Sequence, residues 1–395
     1  MAAMGPLTTT LSPWRPILSL CFLIIQLLAI PAQAYAELSD ATLRSISSAA
    51  DALDPHTGKL ITPILTPRVP GTPGHQSVQH HLVDFFAREL PQWRLEWHNS
   101  TSLTPATGTT EIPFANIVFT RDPPWTKGKG DVGRLALVAH YDSMYRPEGF
   151  IGATDSAAPC AMLMQVARSI DAALTTKWDA VIESGDLDMG LEDDAKGVQI
   201  IFLDGEEAWV TWSETDSLYG ARALAEKWEA ETYPSQSTYQ SAIESIKLFV
   251  LLDLLGTADP NIPSYFPSTH RDYQKLADIE KRMRELGVLA TKPQNPFLAE
   301  REKRRNQFRP GYIGDDHIPF LVRGVEILHV IPTPFQETWH TMDDDAEHLD
   351  LDSIDDWQKI FTAFAAEWLE LDEFMNKTSI TQNKKSEVIR DRSEL

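Results

Sequence analysis

Val198-Gln199-Ile200-Ile201-Phe202-Leu203, followed at once by Asp204-Gly205-Glu206-Glu207, is the stretch on which the fold turns. An apolar run rich in Val, Ile, Phe and Leu belongs to a strand in the middle of a sheet, covered on both faces. Two successive glutamates at its exit are poor for stability and good for chemistry: one carboxylate can hold a metal while its neighbour moves protons. Taken alone, the stretch also reads as a solvated acidic turn. The pattern recurs, and the recurrence weighs against that reading. Residues 135–139 are apolar and end in His140-Tyr141-Asp142, and residues 248–252 end in Asp253. Residues 325–330 are apolar around His329 and lead through a proline-rich turn to Trp339-His340. Strand-like segments thus deliver His, Asp or Glu near their C-terminal ends, the edge at which open α/β sheets bind ligands. Imidazole and carboxylate without thiolate suit a catalytic zinc with one position left open for substrate.

Working outward, residues 76–90 place Val78, Leu82, Phe85 and Phe86 on one helical face. Met162, Val166, Ile170 and Leu174 recur every fourth residue and mark a helix after Asp155. Residues 217–230 and 272–286 read as further helices. Residues 353–374 form another, whose stripe of Trp357, Ile360, Phe361, Phe364 and Trp368 is core rather than binding surface. Residues 175–197, rich in Asp and Glu, read as an acidic surface insertion. There are no internal repeats. Helices interleaved with buried strands predict an α/β three-layer sandwich, a central mixed, mostly parallel sheet flanked by helices.

The 395 residues are 43% hydrophobic and carry 20 Gly and 26 Pro, as expected of a globular enzyme with long ordered loops. A formal net charge of −22 argues against nucleic acid or an anionic membrane surface as partner. It favours cationic groups such as free N-terminal amines, although solubility alone accounts for most of it.

Arg15 precedes an apolar stretch, residues 17–30, that ends at Pro31. Ala32-Gln33-Ala34 and Ala34-Tyr35-Ala36 have the form of small-residue cleavage sites. Residues 1–36 therefore read as a signal peptide, with an uncleaved anchor as the alternative, because the apolar core is short of the roughly 20 residues a bilayer span needs. Residues 37–375 make a single catalytic domain, and residues 376–395 a polar tail expected to be disordered. The sequons Asn99-Ser100-Thr101 and Asn376-Lys377-Thr378 agree with secretory passage. The final Arg392-Ser393-Glu394-Leu395 faintly resembles an ER-retrieval signal but lacks its usual Asp. Secretion is the expected destination, with retention or anchoring as alternatives. Cys21 lies in the targeting segment, so the mature chain holds only Cys160 and no intramolecular disulfide; Pro159 and Ala161 beside it suggest a buried structural thiol.

Gly152-Ala153-Thr154-Asp155-Ser156-Ala157, Asp204-Gly205-Glu206-Glu207-Ala208, Asp216-Ser217-Leu218-Tyr219-Gly220, Asp315-Asp316-His317-Ile318-Pro319-Phe320 and Trp339-His340-Thr341-Met342-Asp343-Asp344 occur in that order. Together they resemble secreted glutaminyl cyclases of the animal and fungal type, a branch of the zinc aminopeptidase-like fold, over roughly residues 40–372. The resemblance implies one Zn2+ per chain held by Asp155, Glu207 and His340, with Glu206 as general acid/base. Asp253 and Asp315 would form a carboxylate network beside it, in which crowding favours a shared proton. Trp212, His329, Phe335 and Trp339 match the pocket walls of that family. The implied reaction is intramolecular aminolysis: the α-amine of an N-terminal glutamine attacks its own γ-carboxamide, giving pyroglutamate and ammonia. Peptides and proteins beginning with Gln, or with Glu, are the partners implied, and a monomer is expected.

Two departures and two rivals accompany that resemblance. Animal relatives often bridge the cysteine of the Pro-Cys segment to one just before His-Tyr-Asp; Ala139 stands there instead, which bears on stability rather than catalysis. His140 and Asp142 match the second-metal ligands of dinuclear aminopeptidases, which the cyclases retain without a second zinc. The main rival is a zinc aminopeptidase in which Glu206 activates water. A catalytically silent binding domain on the same fold would require lost ligands, and none is lost.

Overall fold

The computed structural model describes residues 37–126, 128–185, 195–309, 311 and 313–375. Residues 1–36 and 376–395, expected to be leader and tail, lie outside the described residues, as does the sequon asparagine Asn376. Six strands form one sheet in the order β1-β2-β4-β3-β5-β6: β1 (Arg94–Leu103), β2 (Glu111–Arg121), β3 (Val132–His140), β4 (Ala195–Leu203), β5 (Ile246–Leu252) and β6 (Ile327–Val330). β1 and β2 are antiparallel to each other and β2 to β4, while β4, β3, β5 and β6 run parallel. The parallel set is the set of apolar runs with acids or histidines at their exits.

Alternation along the strands divides the core in two. Leu135, Leu137 and Ala139 of β3, with Val198, Ile200 and Phe202 of β4, face α1 (Pro73–Glu89), α2 (Ala158–Ser184), α4 (His270–Glu285) and α5 (Leu351–Trp368). Ala136 and Val138, with Ile201 and Leu203, face α3 (Tyr219–Ala230) and the short helix Ile318–Leu321. Helices on both faces of a mixed sheet are the three-layer sandwich predicted. The chain leaves β3, crosses through α2 and enters β4 on one side; it leaves β4, crosses through α3 and enters β5 on the other. Parallel crossovers share one hand, so reversing direction puts α2 and α3 on opposite faces and opens a crevice at the C-terminal ends of β3 and β4.

Local chemistry sets the helix ends. Thr72 caps α1 by accepting from the His75 N–H, with Pro73 in the first turn. Asp350 caps α5 by accepting from the Ser353 N–H, and Gly185 closes α2 in the left-handed conformation, φ 73°.

Two expectations need correction. Residues 175–184 are not an insertion but the last turns of α2, where buried Trp178 meets Trp125 edge-on at 6.4 Å and Arg121 lies over its ring. Residues 195–197 open β4, and residues 186–194 lie outside the described residues. Acidic side chains on the solvent face of a long helix look like a loop when read one residue at a time. The helix expected over 353–374 starts at Leu351 and stops at Trp368, because Glu370 turns left-handed at φ 56°. Strands β1 and β2 went unread: β1 is largely polar, as befits a sheet edge.

Candidate functional site

Each parallel strand hands one part to the crevice. β4 exits through Asp204 and Gly205 into Glu206 and Glu207. Gly205 sits at φ 71°, and a Cβ there would meet the Phe114 ring at 2.4 Å, so only glycine makes this turn. β3 exits through His140 to Asp142, whose two carboxylate oxygens accept the backbone N–H of Glu206 at 3.1 Å and of Glu207 at 3.3 Å. One buried aspartate thus aims both glutamates. Behind them Asp204 accepts from Ala115 N–H at 2.6 Å and pairs with His75 Nε2 at 2.9 Å.

Asp155 lies in the irregular turn Ala153–Ala157 ahead of α2. Buried Arg68 holds this loop, donating to the carbonyl oxygens of Tyr141, Ile151, Gly152 and Asp155. Asp344 accepts from the Thr154 N–H at 2.8 Å and its hydroxyl at 2.9 Å, tying the His340 turn to the Asp155 turn. Burial, reinforced by the charge of Asp155, pushes the Asp344 carboxyl up to about 7. His340 adopts φ 56°, and its Nε2 stands 3.4 Å from Asp155 Oδ2 and 3.8 Å from Glu207 Oε2.

Asp155, Glu207 and His340 each bring a ligand atom within 4.8 Å of the others. Glu207 Oε1 is buried without a hydrogen-bond partner, and burial beside Asp155 and Glu206 drives its carboxyl well above the usual range. Crowded acids with an unsatisfied inward oxygen call for a cation, and two carboxylates with one imidazole are a donor set for a divalent metal. The residues therefore fit the metal implied by the sequence.

Glu206 is buried at the cavity floor, where its Oε1 accepts from the Trp212 indole N–H at 3.1 Å. Burial, then repulsion from Asp315, Asp253 and Asp155, outweighs nearby His140 and raises its carboxyl well above the ordinary value. Asp253 engages the Ser156 hydroxyl and stands 3.5 Å from His140 Nε2, which lies 2.9 Å from Asp155, while Asp142 stands 3.4 Å from the other ring nitrogen, Nδ1. Burial opposes charge on His140, but these three acids hold its pKa well above the usual value. Asp315 pairs with His329 at 2.7 Å, and burial next to Asp253 raises it strongly.

A cavity of about 290 Å³ is lined by Asp155, Glu206, Asp253 and His340, with Trp212, Phe335 and Trp339 as aromatic walls. Trp212 and Trp339 are 41% and 37% exposed, high for indoles. Trp339 stacks on His340 at 4.0 Å and meets Phe335 edge-on at 4.6 Å. A Cβ on Gly314 would fall 2.5 Å from Trp212, so glycine lets the far edge of the indole approach the backbone closely. His329 and Asp315 stand one layer back: His329, expected as a wall, is buried and supports Asp315.

The Peptidase family M28 signature matches residues 123–365. The glutaminyl-peptide cyclotransferase of Bothrops jararaca is 41% identical over 317 residues, 78% of this chain and 79% of its own length. That of Bos taurus is 40% identical over 315 residues, 79% of this chain and 81% of its own. The chain belongs to the glutaminyl-peptide cyclotransferase branch of peptidase family M28. The crystal structure of Macrostomum lignano glutaminyl cyclase superposes with TM-score 0.66 and 28% identity, covering 86% of this chain and 96% of its own. A leucine aminopeptidase precursor from Bacteroides thetaiotaomicron, at TM-score 0.54 and 18% identity, shares the fold alone.

Hydrogen bonds in the structure show which residues went unread in the sequence. Arg68 and Asp344 position the Asp155 and His340 turns, and neither carries a metal-like spacing. Asp344 stood inside a quoted motif, which was the available signal; Arg68 had none. Cys160 is a buried free thiol, donating to the His140 carbonyl and pushed up to about 12 by burial, as expected of an inert structural cysteine.

Proposed function

We propose that the chain is a zinc-dependent glutaminyl-peptide cyclotransferase, converting N-terminal glutamine to pyroglutamate with release of ammonia. The observation that carries this reading is the aromatic-walled cavity of about 290 Å³ with Glu206 at its floor, sized for one folded residue rather than a length of peptide. Zinc held by Asp155, Glu207 and His340 supplies Lewis acidity toward the substrate carboxamide. Trp212, Phe335 and Trp339 keep the glutamine side chain folded and dry, so that its own amine faces the γ-carbon and ring closure becomes unimolecular. Glu206 takes the proton that the α-amine loses as the new C–N bond forms, then gives it to the departing ammonia. Its raised proton affinity suits both halves of that transfer. Asp253 and Asp315 sustain it by crowding negative charge behind Glu206, with His329 fixing Asp315.

Incubation with a Gln-initiated peptide, followed by mass spectrometry, tests the reading: loss of ammonia is expected, and loss of a residue would make the enzyme an aminopeptidase. The same peptide with an acetylated α-amine should be inert, because the nucleophile is gone. Ammonia released from it would show water attacking instead. N-terminal glutamate is a second candidate substrate.

We also assign residues 1–36 to a secretory leader, 37–375 to the catalytic domain and 376–395 to a tail, with secretion as a monomer. Among the described residues no helix is long and apolar enough to cross a membrane. N-terminal sequencing of protein collected from the medium should begin near residue 35 or 37; a secreted chain starting at Met1 would refute the leader.

A further inference from the structure

Strand β1 is the outer edge of the sheet, paired only with β2 among the described residues. We propose that Asn99 carries an N-linked glycan whose first sugar lies on the indole of Trp97, in the groove between β1 and α1. The proposal rests on the secretory assignment above. Asn99-Ser100-Thr101 is an acceptor sequon, and Trp97 stands two residues before the asparagine. In a strand, residues two apart share a face about 6.8 Å apart, so Trp97, Asn99 and Thr101 point the same way. His98 points the other way, buried edge-on against Trp228 at 5.7 Å.

Trp97 is 40% exposed, an unusual loss of burial for an indole on a regular strand. It borders a groove of about 850 Å³ whose other wall is polar, with Gln76, Gln79 and His80 projecting from α1. That combination suits N-acetylglucosamine. The C–H face of the sugar packs on the electron-rich indole, and its hydroxyl and acetamido groups meet amide and imidazole side chains. In the transfer, the Asn99 side-chain nitrogen bonds to the anomeric carbon of a lipid-pyrophosphate-linked oligosaccharide. The lipid pyrophosphate leaves, and one amide proton passes to the transferring enzyme. The position also has a use, since an unpaired edge strand invites strand addition from another chain and a bulky glycan blocks it.

The full chain is expressed in a eukaryotic secretory host, once with its own first 36 residues and once with those replaced by a proven leader. Enzymatic deglycosylation in heavy-oxygen water converts a glycosylated asparagine to labelled aspartate, which peptide mass spectrometry reads at residue 99. Label there is expected, and none in Asn99→Gln. Label only with the borrowed leader would refute the leader assignment, and with it the glycan on the natural chain, while leaving Asn99 a competent acceptor. No label in protein secreted with the borrowed leader overturns the glycan. For the stacking, the glycosylated protein should melt a few degrees above Asn99→Gln, and that difference should vanish in a Trp97→Ala background. An undiminished difference would overturn the contact with Trp97. Glutamine cyclisation should be equal in all these variants, since neither residue belongs to the site.

Discussion

Exchanging Glu206 for Gln keeps the side chain's size and an oxygen to accept from the Trp212 indole, but removes the proton acceptor. Turnover should fall by about a hundredfold or more with metal content unchanged, as kcat and elemental analysis would show together. Glu207→Gln should do the reverse in kind, lowering metal occupancy because it removes a charged ligand beside Asp155 and His340. Equal metal loss in both variants would mean the two glutamates share one task. Adjacent carboxylates can take different tasks because Asp142 grips both backbone N–H groups and fixes where each side chain starts.

The segment bearing Trp212 is shaped by Asp216, which accepts from the N–H groups of Trp209, Val210 and Thr211 and from the Tyr219 hydroxyl. Burial raises the Asp216 carboxyl, but these donors hold it below its ordinary value of 3.8. A depressed carboxylate stabilises the fold above its unfolded pKa and loses that contribution as pH falls through the folded one. Asp216→Asn should therefore be less stable than wild type at neutral pH. The gap in urea midpoint should shrink as pH drops below the ordinary carboxylate value of 3.8; a gap that widens in acid would refute the sign. The variant should also raise KM, since Trp212 loses its support. In α5, Trp357 is fully buried and stacks on Phe297 at 5.1 Å. Trp357→Ala should cost roughly 3–5 kcal/mol in denaturant unfolding while leaving kcat per folded molecule intact.

For the whole molecule, the proposed metal would join parts from distant stretches: the turn after β3, the exit of β4 and the turn after β6. About one zinc per chain is expected from elemental analysis. Asp142, Asp155 and Asp253 crowd around His140 and raise its pKa well above the usual value despite burial, and the positive charge this favours opposes a second cation beside it. Two zinc ions at full occupancy would overturn this. Chelation should abolish cyclisation and lower the thermal midpoint, because Asp155 and Glu207 are then buried together without a cation, and added zinc should restore both. A stripped protein that melts as high as the loaded one would show that the carboxylates do not need the ion for folding.

The sequence by itself determined the four parallel strands of the sheet, because strands buried on both faces must be apolar throughout and their exits carry the chemistry. It also marked Glu206 and Glu207 as candidates at the exit of an apolar strand, while Asp155 and the role of His340 came from motifs resembling the family. What only the tertiary structure decided is how those groups are held. Arg68 acts through carbonyl oxygens of loops brought together by folding, and Asp142 through N–H groups in the turn after the neighbouring strand. Asp344 acts through Thr154, a hundred and ninety positions away in the chain. Backbone hydrogen bonds across such separations leave no periodicity or motif in the sequence. The same reason hid β1, whose polar face is set by its place at the edge, and placed His329 behind Asp315 rather than in the cavity wall.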